Sequence, residues 1–436
     1  MSEKRSKLLS IYRIATAALA PTAPLLLDWR RRRGKEDPDR LRERLGFAGL
    51  TRPQGQLAWL HGASVGESLA LLPVVERLLA RGVRVLITTG TTSSAAILKA
   101  RLPAGAAHQF VPLDAPRFVR RFLDHWRPDL ALIAESELWP NLLHETHVRS
   151  IPLALVNARL SQRSHDRWLR FPGVIAEMLG TIDLCLAQTH EDAIRLARLG
   201  ARRVQVAGNL KYDALAPPVD AGELARLRAL IGARPVWLAA STHPGEEQVV
   251  AEVHARLASK MPGLLTILAP RHARRGGEIV DVLQRGGVRG VLRSAGGQID
   301  AAVDCYVADT MGEMGLFYRL ASVVFVGRSL AGATGGQNPI EPAKLGAAVL
   351  HGPDVLNFDE VYRALDAAGG SWRVEDAADL TDALAQLFSN PQMLRQMARA
   401  AGETVEKLGG ATNAILQALE HYIMQLQVER AADAGA

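Results

Sequence analysis

Acidic and basic residues stand directly after several short apolar runs, where a buried strand would deliver its next residue to an open edge. The first such segment is Trp59-Leu-His-Gly-Ala-Ser-Val-Gly-Glu67. A strand ending near Leu60 and a small-residue turn lead into a helix from about Val65, and Gly62, Ala63 and Gly66 leave that helix start uncovered. A carboxylate at Glu67 could act as general base toward a hydroxyl within hydrogen-bond reach. Ser64 and Glu67 also spell a capping box, which alone accounts for both residues. The second segment is Glu135-Ser-Glu137-Leu-Trp-Pro-Asn141. Glu137 opens a helix whose dipole favours it, whereas Glu135 has no capping role and reads as functional. Asn157-Ala-Arg-Leu-Ser161 and Gly208-Asn-Leu-Lys211-Tyr-Asp213 follow two further strands. Lys211 is either a solvated charge or a counter-charge for a phosphate or carboxylate.

The second half places polar groups at corresponding positions. Ser241-Thr-His-Pro-Gly-Glu-Glu247 and Pro270-Arg271-His272 follow strands, while Asp309-Thr-Met311-Gly312-Glu313 and Gly335-Gly-Gln-Asn338-Pro339-Ile340-Glu341-Pro342 precede helices. Gly-rich turns feeding helix N-termini are ready anion sites, because unpaired backbone N–H groups point outward there. Singly each is weak, since Pro339 and Pro342 are ordinary helix-start residues. With Arg271 they describe a pocket for a nucleotide phosphate and ribose, Glu341 accepting from ribose hydroxyls. No P-loop, GxGxxG or HExxH occurs, and no DxD-like metal pair follows any of these strands. That argues against an NTPase, a dinucleotide oxidoreductase and a metal-dependent transferase.

These residues need a frame. Apolar runs at 57–60, 83–89, 109–113, 130–134, 153–156, 184–187 and 204–207 alternate with amphipathic stretches such as 68–80, 117–126 and 192–199. Continuous apolar strands between helices predict a parallel sheet covered on both faces. A linker is expected over 215–222. The pattern then restarts with strands at 236–240, 264–269, 288–292, 305–307, 323–326 and 349–350, ending in helices. Two α/β domains, 35–214 and 223–410, predict a ligand cleft between their sheet edges, with 411–436 a terminal helix. Cys185 and Cys305 are the only cysteines and build no disulfide framework.

The net charge is +7 over 436 residues, but residues 1–34 hold eight basic side chains against two acidic ones. The remainder is close to neutral, so no basic stripe for nucleic acid is visible. The charge flanks an apolar run at 8–27, interrupted by Arg13, Pro21 and Pro24. A stretch of that length reaches roughly 30 Å, although Arg13 and two prolines make a poor spanning helix. Residues 1–34 read as a membrane-inserted or membrane-lying anchor with Arg30 to Arg33 on anionic headgroups. The competing reading is a surface helix packed on its own protein.

Taken in order, these segments resemble the 3-deoxy-D-manno-octulosonic acid (Kdo) transferase family. The likeness runs from Arg33-Gly-Lys-Glu-Asp-Pro38 through the Glu67, Glu135, Asn157 and Lys211 segments to Ser241-Thr-His, Pro270-Arg-His, Asp309-Thr-Met-Gly-Glu and Gly335-Gly-Gln-Asn-Pro. It implies a GT-B fold, two Rossmann-like domains, and transfer of Kdo from CMP-Kdo to the lipid A precursor (lipid IVA) in lipopolysaccharide core synthesis. It implies an inverting enzyme without metal or other cofactor, at the cytoplasmic face of the inner membrane. Glu67 would be the base, with Glu135 and Lys211 supporting the transition state. Pro270, Arg271, Met311, Gly312, Glu313, Asn338, Pro339, Ile340 and Glu341 would hold CMP. Gln337, Arg328 and Ser136 stand where the family leads one to expect His, Gly and Thr. The rival readings are another nucleotide-sugar enzyme, such as a UDP-sugar transferase or epimerase, and a non-catalytic membrane-tethered binding protein.

Overall fold

The computed structural model describes residues 6–330, 332 and 335–434. The chain divides into two units, one running to Leu215 and resuming at Gly409, the other spanning Ala216–Leu408.

Unit 1 is built on β1 (Leu57–His61), β2 (Arg84–Thr89), β3 (Ala106–Phe110), β4 (Leu130–Ala134), β5 (Leu153–Ala158), β6 (Leu184–Ala187) and β7 (Val204–Val206). They form one sheet in the order β3-β2-β1-β4-β5-β6-β7, every pairing parallel. Side chains alternate between the two faces. Ala58, Leu60, Leu130 and Leu132 pack on one side against Leu71, Val75 and Leu78 of the helix Val65–Ala80. Leu57, Trp59, Ala131 and Ile133 pack on the other against Phe122, Trp126 and Leu179. Covering both faces leaves only the strand ends for chemistry. Strand order reverses between β1 and β4, the position at which open parallel sheets take ligands.

Unit 2 repeats the plan with β8 (Val236–Thr242), β9 (Leu265–Pro270), β10 (Gly290–Leu292), β11 (Cys305–Val307), β12 (Val323–Val326), β13 (Ala348–His351) and β14 (Ser371–Arg373). Its order is β10-β11-β9-β8-β12-β13-β14, again all parallel. The reversal falls between β8 and β12.

Two strand expectations need correction. The strand expected at 109–113 lies at Ala106–Phe110, because Pro112 has no N–H for a ladder. β14 was not foreseen; its three residues carry too little pattern, and pairing to β13 defines it. Asp220 accepts the Glu223 N–H at 3.0 Å and starts the helix Ala221–Ile231.

The chain returns to unit 1 through helices Ala411–Ala418 and Glu420–Ala434. Ile415, Leu419 and Ile423 are fully buried against the Leu71–Leu78 face, and Arg81 pairs with Glu420 at 2.6 Å. Asp213 fixes the entry: its carboxylate accepts the Gly410 N–H at 2.6 Å and the Thr412 N–H.

At the other terminus, helices Lys7–Leu19 and Ala23–Arg32 join through one tight turn, Ala20–Thr22. The stretch Lys7–Arg32 is long and apolar enough to cross a membrane. One face is bound to unit 1: Leu9, Ala20, Ala23 and Leu27 are buried. Tyr12 Oη donates to Asp114 at 2.9 Å, Asn141 Nδ2 donates to Thr16 Oγ1 at 3.0 Å, and Arg13 pairs with buried Glu145 at 3.3 Å. The opposite face exposes Leu8, Ile11, Ile14, Leu19, Leu25, Leu26 and Trp29. The arginines at its end are partly neutralised, Arg30 by Glu36 and Arg31 and Arg32 by Asp28, while Arg33 stacks on Trp29. Lys4 and Arg5 lie outside the described residues.

Asp213→Ala removes a carboxylate cap shared by two amides. The expected cost is about 1–2 kcal/mol in chemical denaturation, with hydrogen-exchange protection falling first in residues 411–418.

Candidate active site

Among the described residues, six non-glycine positions have a left-handed backbone. Arg127 and Ser150 merely close helices, whereas Glu135 (φ 55°), Asn157 (φ 51°), Ser241 (φ 57°) and Arg328 (φ 58°) all lie at the carboxyl ends of β4, β5, β8 and β12. Each such residue costs roughly 1–2 kcal/mol relative to a relaxed conformation. Strain gathered at one kind of edge marks where side chains are aimed rather than merely accommodated.

In unit 1, His61 ends β1 and Ser64 caps the helix Val65–Ala80. Glu67 Oε2 accepts the Ala63 N–H at 2.8 Å and Oε1 accepts the Ser64 hydroxyl at 2.5 Å. Ser64 Oγ in turn accepts the Glu67 N–H at 3.3 Å, so Ser64 caps the helix while the Glu67 carboxylate reaches back one residue further, to the Ala63 amide. These bonds do not exhaust the carboxylate, because each oxygen has a second lone pair and the side chain remains partly exposed. A Cβ at Gly62 would meet the Glu67 Cβ at 3.1 Å and Leu71 at 3.2 Å, so the turn that brings Glu67 to the sheet edge is closely packed there.

Glu135 leaves β4 with its N–H bonded to the Val156 carbonyl at 3.0 Å, and its Oε1 lies 2.7 Å from Lys211 Nζ. Lys211 sits on the one-turn helix Leu210–Asp213. Asn209 Oδ1 accepts the Lys211 N–H at 3.0 Å and Asn157 Oδ1 accepts the Leu210 N–H at 2.9 Å. A Cβ on Gly66 would lie 4.0 Å from Lys211 Cε, so the lysine stem crosses the turn beside Glu67. The structure thus brings Glu135, Lys211 and the Glu67 turn together. Glu137 is held apart by its own partners. Burial works to raise its carboxyl, and the His61 imidazole and Trp139 indole outweigh that and lower it.

In unit 2 the centre is a residue sequence reading passed over. Glu246 is fully buried, and its carboxylate accepts N–H bonds from His243 and Arg328, both at 2.8 Å on Oε2, and from Ser329 at 3.0 Å and Leu330 at 3.1 Å on Oε1. Burial pushes this carboxyl up while the four donors oppose the shift. It ties the ends of β8 and β12 together. The sequence shows Glu246 only as one of two acids at a helix start; its burial has no sequence signal.

Around that clamp, Arg271 N–H donates to the Thr242 carbonyl at 3.0 Å, His243 faces His272 with ring centroids 6.0 Å apart, and Gln337 Nε2 lies 3.4 Å from His243 Nε2. Burial and then Arg328, His272, Arg271 and Arg275 hold the His243 imidazole below its usual range. Gly336 N–H donates to the Arg328 carbonyl at 2.8 Å and Gln337 N–H to Gly327 at 3.1 Å, so the segment leading to Asn338 docks on the β12 loop. Asn338 Oδ1 accepts the Ile340 N–H at 3.0 Å; Pro339 precedes the helix Ile340–Lys344, and Glu341 is in its first turn. Pro270 ends β9. Met311 is exposed and Gly312 has φ 86°. Glu313 is engaged elsewhere, its carboxylate paired with Arg293 at 2.5 and 2.7 Å and accepting the Thr310 hydroxyl.

Residues 39–214 match the family model described as 3-deoxy-D-manno-octulosonic-acid transferase (kdotransferase). The chain is 36% identical over 427 residues to the 3-deoxy-D-manno-octulosonic acid transferase of Bordetella pertussis, covering 94% of this chain and 99% of that one. It is 34% identical over 411 residues to a probable mitochondrial 3-deoxy-D-manno-octulosonic acid transferase of Arabidopsis thaliana, covering 91% and 92%. The chain belongs to the Kdo transferase family. It is accordingly an enzyme, a Kdo glycosyltransferase of lipopolysaccharide biosynthesis. Among solved structures, UDP-GlcNAc 2-epimerase from Neisseria meningitidis bound to UDP-GlcNAc aligns with TM-score 0.58 at 15% identity, covering 84% of this chain and all of that one. This likeness concerns the fold alone, which is of the GT-B type. Gln337 and Arg328 both bear on the His243 imidazole, Gln337 through its Nε2 at 3.4 Å and Arg328 through its charge.

The ion-pair group around Arg293 gives this Kdo transferase an acid-sensitive joint. Hydrogen bonds from Arg226 and Arg293 hold the Glu223 carboxyl down at about 2, and Arg293 lowers Glu313 likewise. Carboxylates with depressed values contribute stability that is present above the unfolded value near 4.5 and lost as pH falls toward 2. Thermal unfolding between those limits should show stability falling with pH, and Arg293→Met should flatten that slope.

Proposed function

We propose that this Kdo transferase moves Kdo from CMP-Kdo to the lipid A precursor lipid IVA, with inversion at the anomeric carbon and without a metal or other cofactor. The carrying observation is the grouping of Glu67, Glu135 and Lys211 at the β1/β4 reversal, with a lysine ammonium 2.7 Å from the Glu135 carboxylate and its stem passing Gly66, the residue before Glu67. Glu67 accepts the proton of an acceptor hydroxyl as that oxygen bonds to the anomeric carbon. The bond from that carbon to the CMP oxygen breaks, and CMP departs with the electron pair. A single displacement of this kind inverts the centre. A positioned base is worth typically 10² to 10⁴ in rate, and one electrostatic donor at the developing charge roughly 10² to 10³.

Lys211, held by Glu135, supplies positive charge in the transition state. In unit 2, Pro270, Arg271, Met311, Gly312, Asn338, Pro339, Ile340 and Glu341 hold CMP, Arg271 facing the phosphate. Glu313 enters through its backbone, its carboxylate being taken by Arg293. In this reading fixed positive charge, Lys211 in unit 1 and Arg271 in unit 2, takes the part a metal would play. Purified protein incubated with CMP-Kdo and lipid IVA should yield an acceptor heavier by whole Kdo residues, with release of CMP. Glu67→Gln should lower turnover at least about 100-fold while CMP still binds. Turnover near that of the unsubstituted enzyme removes Glu67 from the role.

The acceptor is a lipid, and the enzyme meets it at the cytoplasmic face of the inner membrane. The N-terminal helices lie in the interface, Ile11, Ile14, Leu25 and Trp29 in the acyl region, while the Arg13–Glu145 and Tyr12–Asp114 contacts keep the other face on unit 1. A helix pinned in this way lies along the surface rather than spanning. The double substitution Ile14→Glu, Leu25→Glu should reduce co-sedimentation with anionic vesicles by about 10-fold or more, leaving CMP binding intact. Unchanged sedimentation would refute the interfacial placement.

A further inference from the structure

The end of β12 carries an arginine that the donor site described above does not use. Arg328 adopts φ 58°, a conformation in which glycine is relaxed and a side chain costs roughly 1–2 kcal/mol. The position is held firmly. Its N–H is bonded to the same Glu246 oxygen that holds the His243 N–H, both at 2.8 Å, and its carbonyl accepts the Gly336 N–H at 2.8 Å. The loop has no room to drift, since a Cβ on Gly327 would meet the Ser241 carbonyl at 2.8 Å and Glu246 Oε2 at 2.9 Å.

Its charge is also uncompensated. Arg275 is paired with buried Glu247 at 2.7 Å. Among the described residues neither Arg271 nor Arg328 forms an ion pair. Because β8 lies between β9 and β12, and adjoining strands are about 4.8 Å apart, the two arginines leave the sheet roughly 10 Å apart, on either side of His243. One phosphate occupies one of them. A ligand with two anionic groups uses both, and CMP-Kdo is such a ligand, carrying a carboxylate on the sugar besides the phosphate of the nucleotide.

We propose that Arg328 is a specificity-determining residue that takes the sugar carboxylate of the donor, leaving the nucleotide phosphate to Arg271. The inference rests on the CMP-Kdo reading above. Its effect is to separate acidic sugar nucleotides from neutral ones, which lack a group for that guanidinium and leave it unpaired beside the Arg271 charge.

The test compares initial-rate kinetics of Arg328→Gly and Arg328→Lys with the unsubstituted enzyme, using CMP-Kdo as donor and CMP as inhibitor. Arg328→Gly relaxes the backbone, so its Tm should be equal or higher. KM for CMP-Kdo should rise about 10- to 100-fold, the loss of one charge-assisted contact, while the CMP inhibition constant changes less than about twofold and Arg328→Lys recovers part of the loss. A CMP inhibition constant that rises in step with KM places Arg328 on the phosphate and overturns the proposal, as does an unchanged KM. Should Arg328→Gly fold poorly, Arg328→Lys decides: an unaltered KM-to-CMP ratio in that variant also overturns it. Failure of the unsubstituted enzyme to use CMP-Kdo sinks the underlying reading, a result distinct from both.

Discussion

An ammonium and a carboxylate 2.7 Å apart at a partly exposed sheet edge contribute little to folding on their own. The pair of Lys211 and Glu135 has to be held there by everything around it. Glu135 adopts a left-handed backbone to turn off β4, and Asn157, itself left-handed and buried, spends its side-chain carbonyl on the Leu210 amide. Asn209 fixes the next amide, and Asp213 fastens the far end of the same short helix to the returning C-terminal segment. Four residues are thus arranged so that one lysine nitrogen sits beside one carboxylate, with Glu67 on the adjoining turn. In such a network the removal of any member shifts the lysine before it unfolds the sheet.

Unit 2 solves the same problem with the opposite sign. There the fixed element is a buried carboxylate, Glu246, and the groups it positions are backbone amides of His243, Arg328, Ser329 and Leu330. A carboxylate wholly out of water is tolerable only when its lone pairs are met, and four N–H donors do that. It gathers His243 and Arg328 without neutralising the side chains that project from them, since its own charge is spent on the main chain. The two strand ends therefore present an imidazole and a guanidinium to a ligand while the anion that organises them stays behind the surface.

Most of the fold was legible because both sheets are parallel and covered on both faces, so strands appear as unbroken apolar runs such as Leu130–Ala134 and Val323–Val326. β14 failed that rule because an edge strand of three residues, Ser371–Arg373, carries no run. Glu67, Glu135 and Lys211 were legible for a related reason, since a polar residue at the end of such a run has nowhere else to go. Glu313 shows the limit. Its place before a helix was readable, but the guanidinium that occupies it comes from Arg293, twenty residues earlier and on another element. Glu246 was hidden more deeply, because a helix-start acid facing water and one facing a neighbouring strand are written alike. Pairings across the sheet are three-dimensional facts, and spacing along the chain does not encode them.

The second unit lies within the first in the order of synthesis, because the chain leaves unit 1 after Leu215 and re-enters it at Gly409. On the ribosome, the stretch Ala216–Leu408 emerges whole and can close its own sheet while the earlier half still waits. Until the last helices appear, the face of the helix Val65–Ala80 that will receive Ile415, Leu419 and Ile423 stands bare. At roughly 5–20 residues per second, that apolar surface is open to the cytosol for some ten seconds or more. A nascent chain of this design should need a chaperone most during the making of its second half, and a stop codon near the end would strand an unfinished first sheet beside a finished second one.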